Sequence, residues 1–165
     1  MSLKTSDRNK VDYAGRTVDL LLLKTVTEVP TVNHRVGLDV SGTPMIVAGV
    51  EKLVQRYALS FINAMGSTMF RPSHGTSLIP DVSAGLVYDM ATLEANAAEA
   101  NLLASNQVKA GDEESESPDD ERLDRADVTD LAYDRSRALI RITVKLTTMA
   151  GGTYVYIIPV GVGVH

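Results

Sequence analysis

The sequence contains no cysteine and no tryptophan, and only 5% of its 165 residues are aromatic. Without cysteine the chain forms neither disulfides nor thiolate metal sites, which fits a reducing compartment or an assembled particle. The scarcity of aromatic rings disfavours stacking platforms for bases or sugars. The apolar stretch at 18–23 is far too short to cross a bilayer, and the polar residues 1–16 do not resemble a signal peptide.

The overall composition is that of an ordinary globular domain, with 44% apolar and 22% charged residues. A chain of this length can bury a sizeable core within one domain. Its net charge of −5 provides no attraction for nucleic acid or for an anionic membrane, so we expect neither as a partner. We predict a mobile, polar N-terminal arm at 1–16 that orders only on a partner, followed by a single domain at 17–165.

The residue types that carry most enzyme chemistry are scattered. His34, His74 and His165 lack the short spacing of a metal-binding pair. The sequence has no Gly-X-Ser-X-Gly motif, no phosphate-binding glycine loop with its lysine and no Gly-X-Gly-X-X-Gly. The acids cluster in a predicted loop, which is a poor scaffold for the paired carboxylates of a glycosidase. We therefore predict no catalytic, cofactor-binding or metal-binding residue, and no enzyme activity.

The first half of the chain alternates strand and helix patterns. Apolar alternation predicts strands at 16–28 and 35–41. A helix is predicted from Thr43, its N-cap, and Pro44 to Gly66, its left-handed C-terminal cap. Its apolar positions recur at three- and four-residue spacing, namely Val47, Val50, Val54, Tyr57, Phe61 and Met65. The opposite side of this helix is predicted to be polar and carries Glu51, Lys52, Gln55, Arg56, Ser60 and Asn63.

An alanine-rich segment predicts a second helix within residues 87–108, because alanine favours helix and permits close approach to a neighbour. Its small-residue stripe consists of Leu86, Met90, Leu93, Ala97, Ala100 and Ala104. The following run at 111–120 has six acids and no base. Self-repulsion predicts an extended, solvated loop there. The functional alternative is an acidic docking strip for a basic partner.

The C-terminal third is predicted to be β-structure. A short strand at 128–134 precedes a hairpin whose strands, 138–147 and 153–162, flank a tight reversal at Gly151 and Gly152. Pro159 is expected at an edge or a strand end. One face of the hairpin carries the residues Ile140, Ile142, Val144, Leu146, Tyr154, Tyr156 and Ile158. The predicted fold is thus α+β, with two main helices packed on a small mixed or antiparallel sheet that includes a C-terminal β-hairpin.

Residues 61–78 are predicted to form a connector that fixes the angle between two packed elements. We expect Gly66 and Gly75 at chain reversals, with at least one at positive φ. Phe70, Arg71 and Pro72 form a turn between them. Two interpretations of Arg71 stay open: it is solvated, or it locks the turn through an acid or through helix-terminal carbonyls.

The glycines, the aromatic-Arg-Pro turn and the following leucine of the connector resemble a pattern found in the sheath-initiator family of contractile-tail baseplates. The sequence resembles that family in Gly66-Ser67, Phe70, Arg71-Pro72, Gly75-Thr76 and Leu78, and in the order of connector, second helix and hairpin. The resemblance extends over residues 43–164. The family's members are baseplate wedge proteins of contractile phages and related injection systems, some historically described as lysozyme-like. The first forty residues exceed the compact family core.

One family signature, an acid followed by Pro-Arg, is replaced here by Asp120-Glu121-Arg122-Leu123. By correspondence with that signature, Glu121 and Arg122 are candidate contacts with the baseplate wedge.

The resemblance implies a structural protein of the virion, located in the tail baseplate and assembled in the host cytoplasm. It implies six copies around the tail tube, with baseplate wedge proteins and tail sheath subunits as partners and the tube as a further candidate. The hairpin would template sheath polymerisation by β-augmentation, in which a sheet edge is completed by an extended arm of another chain.

Two alternatives stay open. One is a different virion subunit, such as a tail terminator or connector, which predicts rings of the purified chain alone. The other is a peptidoglycan-degrading enzyme, which predicts a cleft with a perturbed carboxylate pair and a loss of turbidity on cell-wall substrate.

Overall fold

The computed structural model describes residues 19–20, 22–28, 33–38, 46–134 and 138–161. The fold is α+β, as the sequence predicts. The elements of the described residues are, in chain order, β1 (Asp19–Leu20), β2 (Leu23–Glu28), β3 (Asn33–Leu38), β4 (Ile46–Val47), α1 (Val50–Ile62), α2 (Leu78–Ser83), α3 (Met90–Glu113), β5 (Leu123–Asp134), β6 (Leu139–Thr148) and β7 (Thr153–Gly161).

The main sheet has the strand order β2-β3-β7-β6-β5. Its strands pair antiparallel except β3 and β7, which are parallel, so the sheet is mixed. β1 and β4 form a separate two-stranded antiparallel sheet. The predicted hairpin is confirmed: β6 and β7 pair along their length around Gly151, which has φ +83°, and Pro159 lies near the end of β7.

The helices pack with strands β5, β6 and β7 in one cluster of buried side chains. The alternation predicted for the hairpin is confirmed in β6, where Ile140, Ile142, Val144 and Leu146 are all buried whereas Lys145 is exposed. It is not confirmed in β7, where the consecutive residues Tyr156, Ile157 and Ile158 are all buried. α1 and α3 contribute the other half of the core through Leu53, Val54, Tyr57, Phe61, Leu93, Ala100, Ala104 and Val108. The alanines of α3 permit close approach to its neighbours, as predicted.

α1 differs from its prediction at both ends. It begins at Val50 behind the N-cap Gly49, which has φ +68°, and not at Pro44. Ile46 and Val47 are instead paired with β1, so strand pairing overrides the helical periodicity there. The helix ends at Ile62, and Gly66, at φ +82°, lies in the turn that follows. Thr43 and Pro44 lie outside the described residues.

The predicted polar side of α1 is wrong in part, because Lys52, Gln55 and Ser60 are buried. The amide of Gln55 accepts from Leu22 N at 2.7 Å and donates to the carbonyl of Leu20 at 2.8 Å. Leu20 and Leu22 therefore lie over this side of the helix, where Gln55 bonds the carbonyl of Leu20 and the N–H of Leu22.

The acidic run is partly helical, which corrects its prediction as a solvated loop. α3 continues to Glu113, and Asp112 in its last turn is buried. A carboxylate at a helix C-terminus is unfavourable for the helix dipole, so Asp112 depends on partners outside the helix. Glu113, Glu114 and Glu116 are exposed as predicted. At the other end of α3, Asp89 caps the helix by accepting from Thr92 N at 2.7 Å, and Leu86 and Met90 are exposed instead of buried.

The remaining predictions concern the strands. β5 begins at Leu123, five residues earlier than predicted, and α2 was not predicted. Of the predicted strand at 16–28, β1 and β2 are described, and β3 represents the strand predicted at 35–41. The predicted mobile arm at 1–16 lies outside the described residues.

Candidate functional site

The predicted strand-exchange hairpin does not lie at a sheet edge. β6 is paired on both sides, with β5 and β7, and β7 also pairs with β3 at residues Tyr156 and Ile157. Its apolar face is core: Ile142, Val144, Tyr156 and Ile158 are buried and Tyr154 is half-buried. The hairpin is thus part of a larger sheet, as predicted, but β6 and β7 are inner strands of it, and the outer strands of the described sheet are β2 and β5.

The open edge next to the hairpin belongs to β5. Within the described residues this 12-residue strand pairs only with β6, in a register that shifts between Leu123 and Arg125 and between Val128 and Asp130. Such bulges are typical of strand edges. The strand contains four aspartates and only one basic residue, Arg125, whose Nε donates to Asp127 Oδ1 at 2.8 Å. The edge is thus acidic.

Two contacts with α3 show which backbone groups of β5 point away from β6. Leu123 N donates to Asp112 Oδ2 at 2.8 Å, and the carbonyl of Ala126 accepts from Asn101 Nδ2 at 3.0 Å. Both residues face the core, opposite the buried Thr148 and Leu146 of β6. In an antiparallel pair, residues on one face direct their N–H and C=O to the same side. Leu131 and Tyr133, opposite Ile142 and Ile140, therefore direct theirs outward as well.

The side chain of Asn101 that reaches β5 is itself held in place. Tyr57 Oη donates to Asn101 Oδ1 at 2.6 Å. Burial, and secondarily the charge of Asp127, raises the pKa of Tyr57 above its ordinary value, so its hydroxyl stays protonated and remains a donor. The hydrogen bonds from Tyr57 to Asn101 and from Asn101 to Ala126 thus hold the first half of β5 in place. They do not extend to its second half, from Leu131 to Asp134.

A buried ionic cluster, which the sequence did not predict, holds the start of β5 against α1 and α3. It consists of Lys52, Arg56, Asp112 and Glu121. Glu121 is 0% exposed and lies 3.2 Å from Lys52 Nζ, and it accepts from Gly49 N at 2.7 Å. Arg56 Nη2 donates to Asp112 Oδ1 at 2.6 Å and to the carbonyl of Glu121 at 2.8 Å. Charged groups buried in this way are paired with each other and with backbone groups.

The geometry of this cluster corrects the interpretation of Glu121 as a wedge contact. Its carboxylate is inside the fold, where it is bonded to Lys52 of α1 and to the N–H of the N-cap Gly49. Arg122 is half-exposed and lies 3.5 Å from Asp119, so it remains accessible to a partner. The signal available in the sequence was the pair Lys52 and Arg56, four residues apart on one side of α1, but nothing in the sequence indicated their acidic partners.

In the structure the connector is shorter than predicted, because α1 extends to Ile62 and α2 begins at Leu78; it consists of residues 63–77 and is rigid at its base and exposed at its tip. Thr76 N and Met65 N donate to the carbonyls of Asn63 and Thr76, and Gln107 of α3 bonds both the N–H and the carbonyl of Gly75, at 3.1 and 3.0 Å. Gly75 has φ +104° and Gly66 has φ +82°, which confirms both predicted reversals.

At the tip of the connector, Phe70 is 91% and Met69 86% exposed, whereas Leu78, which follows the connector, is buried. Arg71 and Pro72 are exposed, and Arg71 forms no ion pair with any described residue, which favours its solvated interpretation. Burial, and then the charge of Arg71, lowers the pKa of His74.

The other chemical candidates are dispersed. His34 lies in β3, His74 in the connector, and His165 outside the described residues. Among the residues that the structure describes, no group of three His, Cys, Asp or Glu side chains is placed so that it could hold a metal ion. In the same part of the chain, none of the helices combines the length and apolar character required to cross a membrane.

Comparison with known proteins finds no matching family, no matching curated protein and no matching solved structure.

Proposed function

We propose that this chain is a structural subunit of a contractile-tail baseplate that accepts an extended arm of a tail sheath subunit at the outer edge of β5. The observation that carries the proposal is that β5 has an unpaired outer edge within the described residues, while its inner edge continues into the buried hairpin. An edge of this kind binds an extended segment through main-chain hydrogen bonds, with little demand on its sequence.

The edge is pre-organised for this task. Asp112 and Asn101 hold its first half, so an incoming strand meets a fixed template and loses less conformational entropy on binding than it would on a mobile one. The outward N–H and C=O groups of Leu131 and Tyr133 are the proposed attachment points. The sequence motif of the connector and its order before the hairpin provide independent support for this class of protein.

The composition of the edge indicates the chemistry of the arm. Asp124 and Asp130 are exposed on β5, and Tyr133 is 45% exposed on its core-facing side. An arm with lysine or arginine at alternate positions, and apolar residues between them, would match both faces. Wedge contacts in this proposal involve Arg122 instead of Glu121, and the virion is the location of the assembled protein.

The test compares two substitutions of Tyr133 in particles that carry the variant in place of the wild-type chain. Tyr133→Pro removes one outward N–H and obstructs an added strand, and proline is tolerated at a strand edge. Tyr133→Ser is the matched control, because it removes the ring and keeps the N–H. We expect electron micrographs to show tail tubes without sheath for Tyr133→Pro and sheathed tails for Tyr133→Ser. Sheaths of normal length with a folded Tyr133→Pro variant would refute the proposal.

A further inference from the structure

Two exposed apolar patches lie far apart on this molecule and differ in charge. The tip patch consists of Met65, Met69, Phe70 and Arg71 in the connector. The helix-start patch consists of Leu86, Tyr88, Asp89 and Met90, where α3 begins. Tyr88 is 82% exposed, close to the exposure of Met69 and Phe70. Large apolar side chains that are exposed together in this way mark interaction sites.

The two patches lie toward opposite ends of α3. Gly75 of the connector is bonded to Gln107, whereas Asp89 is the N-cap of the same helix. Met90 and Gln107 are 17 positions apart in α3, which corresponds to about 25 Å along the helix axis. One molecule therefore cannot bring its own two patches together without unfolding α3.

The charges of the patches are complementary. Residues 63–77 contain Arg71 and no aspartate or glutamate. Residues 72–108 contain no lysine or arginine but contain Asp81, Asp89, Glu94 and Glu99. An exposed apolar tip with a cation thus lies near one end of α3, and an exposed apolar patch in an acidic part of the sequence lies at the other end.

We infer that copies of this chain associate head to tail, with the tip patch of one copy on the helix-start patch of the next. Phe70 and Met69 would pack against Leu86 and Tyr88, and Arg71 would pair with Asp89 or Glu94. Because the two surfaces are different, the contact is heterologous and each copy keeps one unused surface for a further copy. Both patches are small, so the association is weak and depends on protein concentration.

The rigid base of the connector makes the tip a suitable anchor. The Gln107 contacts with Gly75 and the bond from Thr76 Oγ1 to the carbonyl of Phe61, at 2.8 Å, fix the loop before binding. Pre-organised aromatic anchors contribute most of the binding energy at small interfaces.

The test is complementation between two variants of the purified chain, Phe70→Ser and Tyr88→Ser, measured by sedimentation velocity over a concentration series. We expect the wild type to self-associate and each variant alone to associate at least about 30-fold more weakly, as for an anchor residue. Mixed together they should form a dimer with one copy of each and nothing larger, since the intact tip of Tyr88→Ser meets the intact helix-start patch of Phe70→Ser. Met149→Ser is the control, because Met149 is also exposed but lies in the turn between β6 and β7.

The inference would be overturned if the wild-type chain stayed monomeric up to about 1 mM, or if the mixture of the two variants stayed monomeric. It would also be overturned if Met149→Ser weakened self-association as much as the two patch variants do. Self-association of this kind involves neither the β5 edge nor a sheath subunit, so its failure and that of the proposed function are distinguishable. A closed ring and an open chain would both support head-to-tail contact, and a stable ring would also favour a tail terminator or connector.

Discussion

The sharpest stability prediction concerns Glu121, whose carboxylate is fully buried in the ionic cluster. Glu121→Gln keeps the size of the side chain and an oxygen that can still accept from Gly49 N. The substitution removes the negative charge that lies 3.2 Å from Lys52 Nζ. It also places the hydrogens of an amide beside the ammonium group of Lys52, whose side chain is only 8% exposed. At an effective dielectric constant of 20 the lost attraction is about 5 kcal/mol, an upper bound on the net effect.

Removing one partner of a buried pair costs about 3–5 kcal/mol in proteins, because the other charge stays in a dry environment. The retained bond to Gly49 places Glu121→Gln at the low end, about 3 kcal/mol. For a domain of this size, that corresponds to a fall of about 6–12 °C in Tm. Urea denaturation monitored by circular dichroism measures the loss directly, with m unchanged if the fold is retained.

Asp119→Asn is the matched control, because Asp119 and Arg122 form an ion pair only a few residues away whose side chains are 68% and 36% exposed. Exposed pairs contribute about 0–1 kcal/mol. The double variant Lys52→Met with Glu121→Gln should be more stable than the sum of its single variants predicts, by at least about 1.5 kcal/mol. A loss for Glu121→Gln no larger than that for Asp119→Asn would show that the buried pair does not stabilise the fold.

A Cβ at Gly75 would lie 2.5 Å from the carbonyl oxygen of Asn63, whereas a Cβ at Gly66 would meet no atom within 4 Å. In thermal melting, Gly75→Ala should therefore lose about 2–5 kcal/mol of stability and Gly66→Ala only about 1–2 kcal/mol. Equal losses would contradict this explanation. The free energy of unfolding should change by less than about 1 kcal/mol when the exposed acids Glu113, Glu114 and Glu116 are neutralised together. Asp112→Asn should instead lower it by about 1.5–3 kcal/mol, because Asp112 alone among these acids is bonded to Arg56 and to Leu123 N. The folded chain should not reduce the turbidity of a peptidoglycan suspension, and lysis that is abolished by replacing a single carboxylate would establish an enzyme instead.

The patterns that predicted well are those in which local periodicity and burial agree. The alternating residues of β6 are buried on one face because a strand has a period of two, and the reversal before β7 lies at Gly151, which has a positive φ. Likewise Val54, Tyr57 and Phe61 lie on the inner side of α1. These features depend on neighbours in the sequence, so the sequence alone was sufficient for them.

The errors have a common physical origin in contacts between distant segments. Asp112 is 56 residues from Arg56, and Glu121 is 69 from Lys52, so no spacing rule connects these pairs. A polar residue predicted to face water is buried when a remote partner satisfies its charge or its hydrogen bonds, as for Lys52 and Gln55. The same limit applies to the candidate site, because a strand pattern does not state which strand lies at an edge.

By itself, the sequence determined the α+β class, the two main helices, the β6–β7 hairpin and the glycine reversals of the connector, because each arises from the chain's local conformational preferences. Only the tertiary structure decided that the hairpin strands lie inside the sheet and that β5 is one of its two outer strands, since strand order depends on which distant segments pair. The tertiary structure also decided that Glu121 faces inward, because its burial is tolerated only where Lys52 and Gly49 N supply the charge and the hydrogen bond that water would otherwise provide.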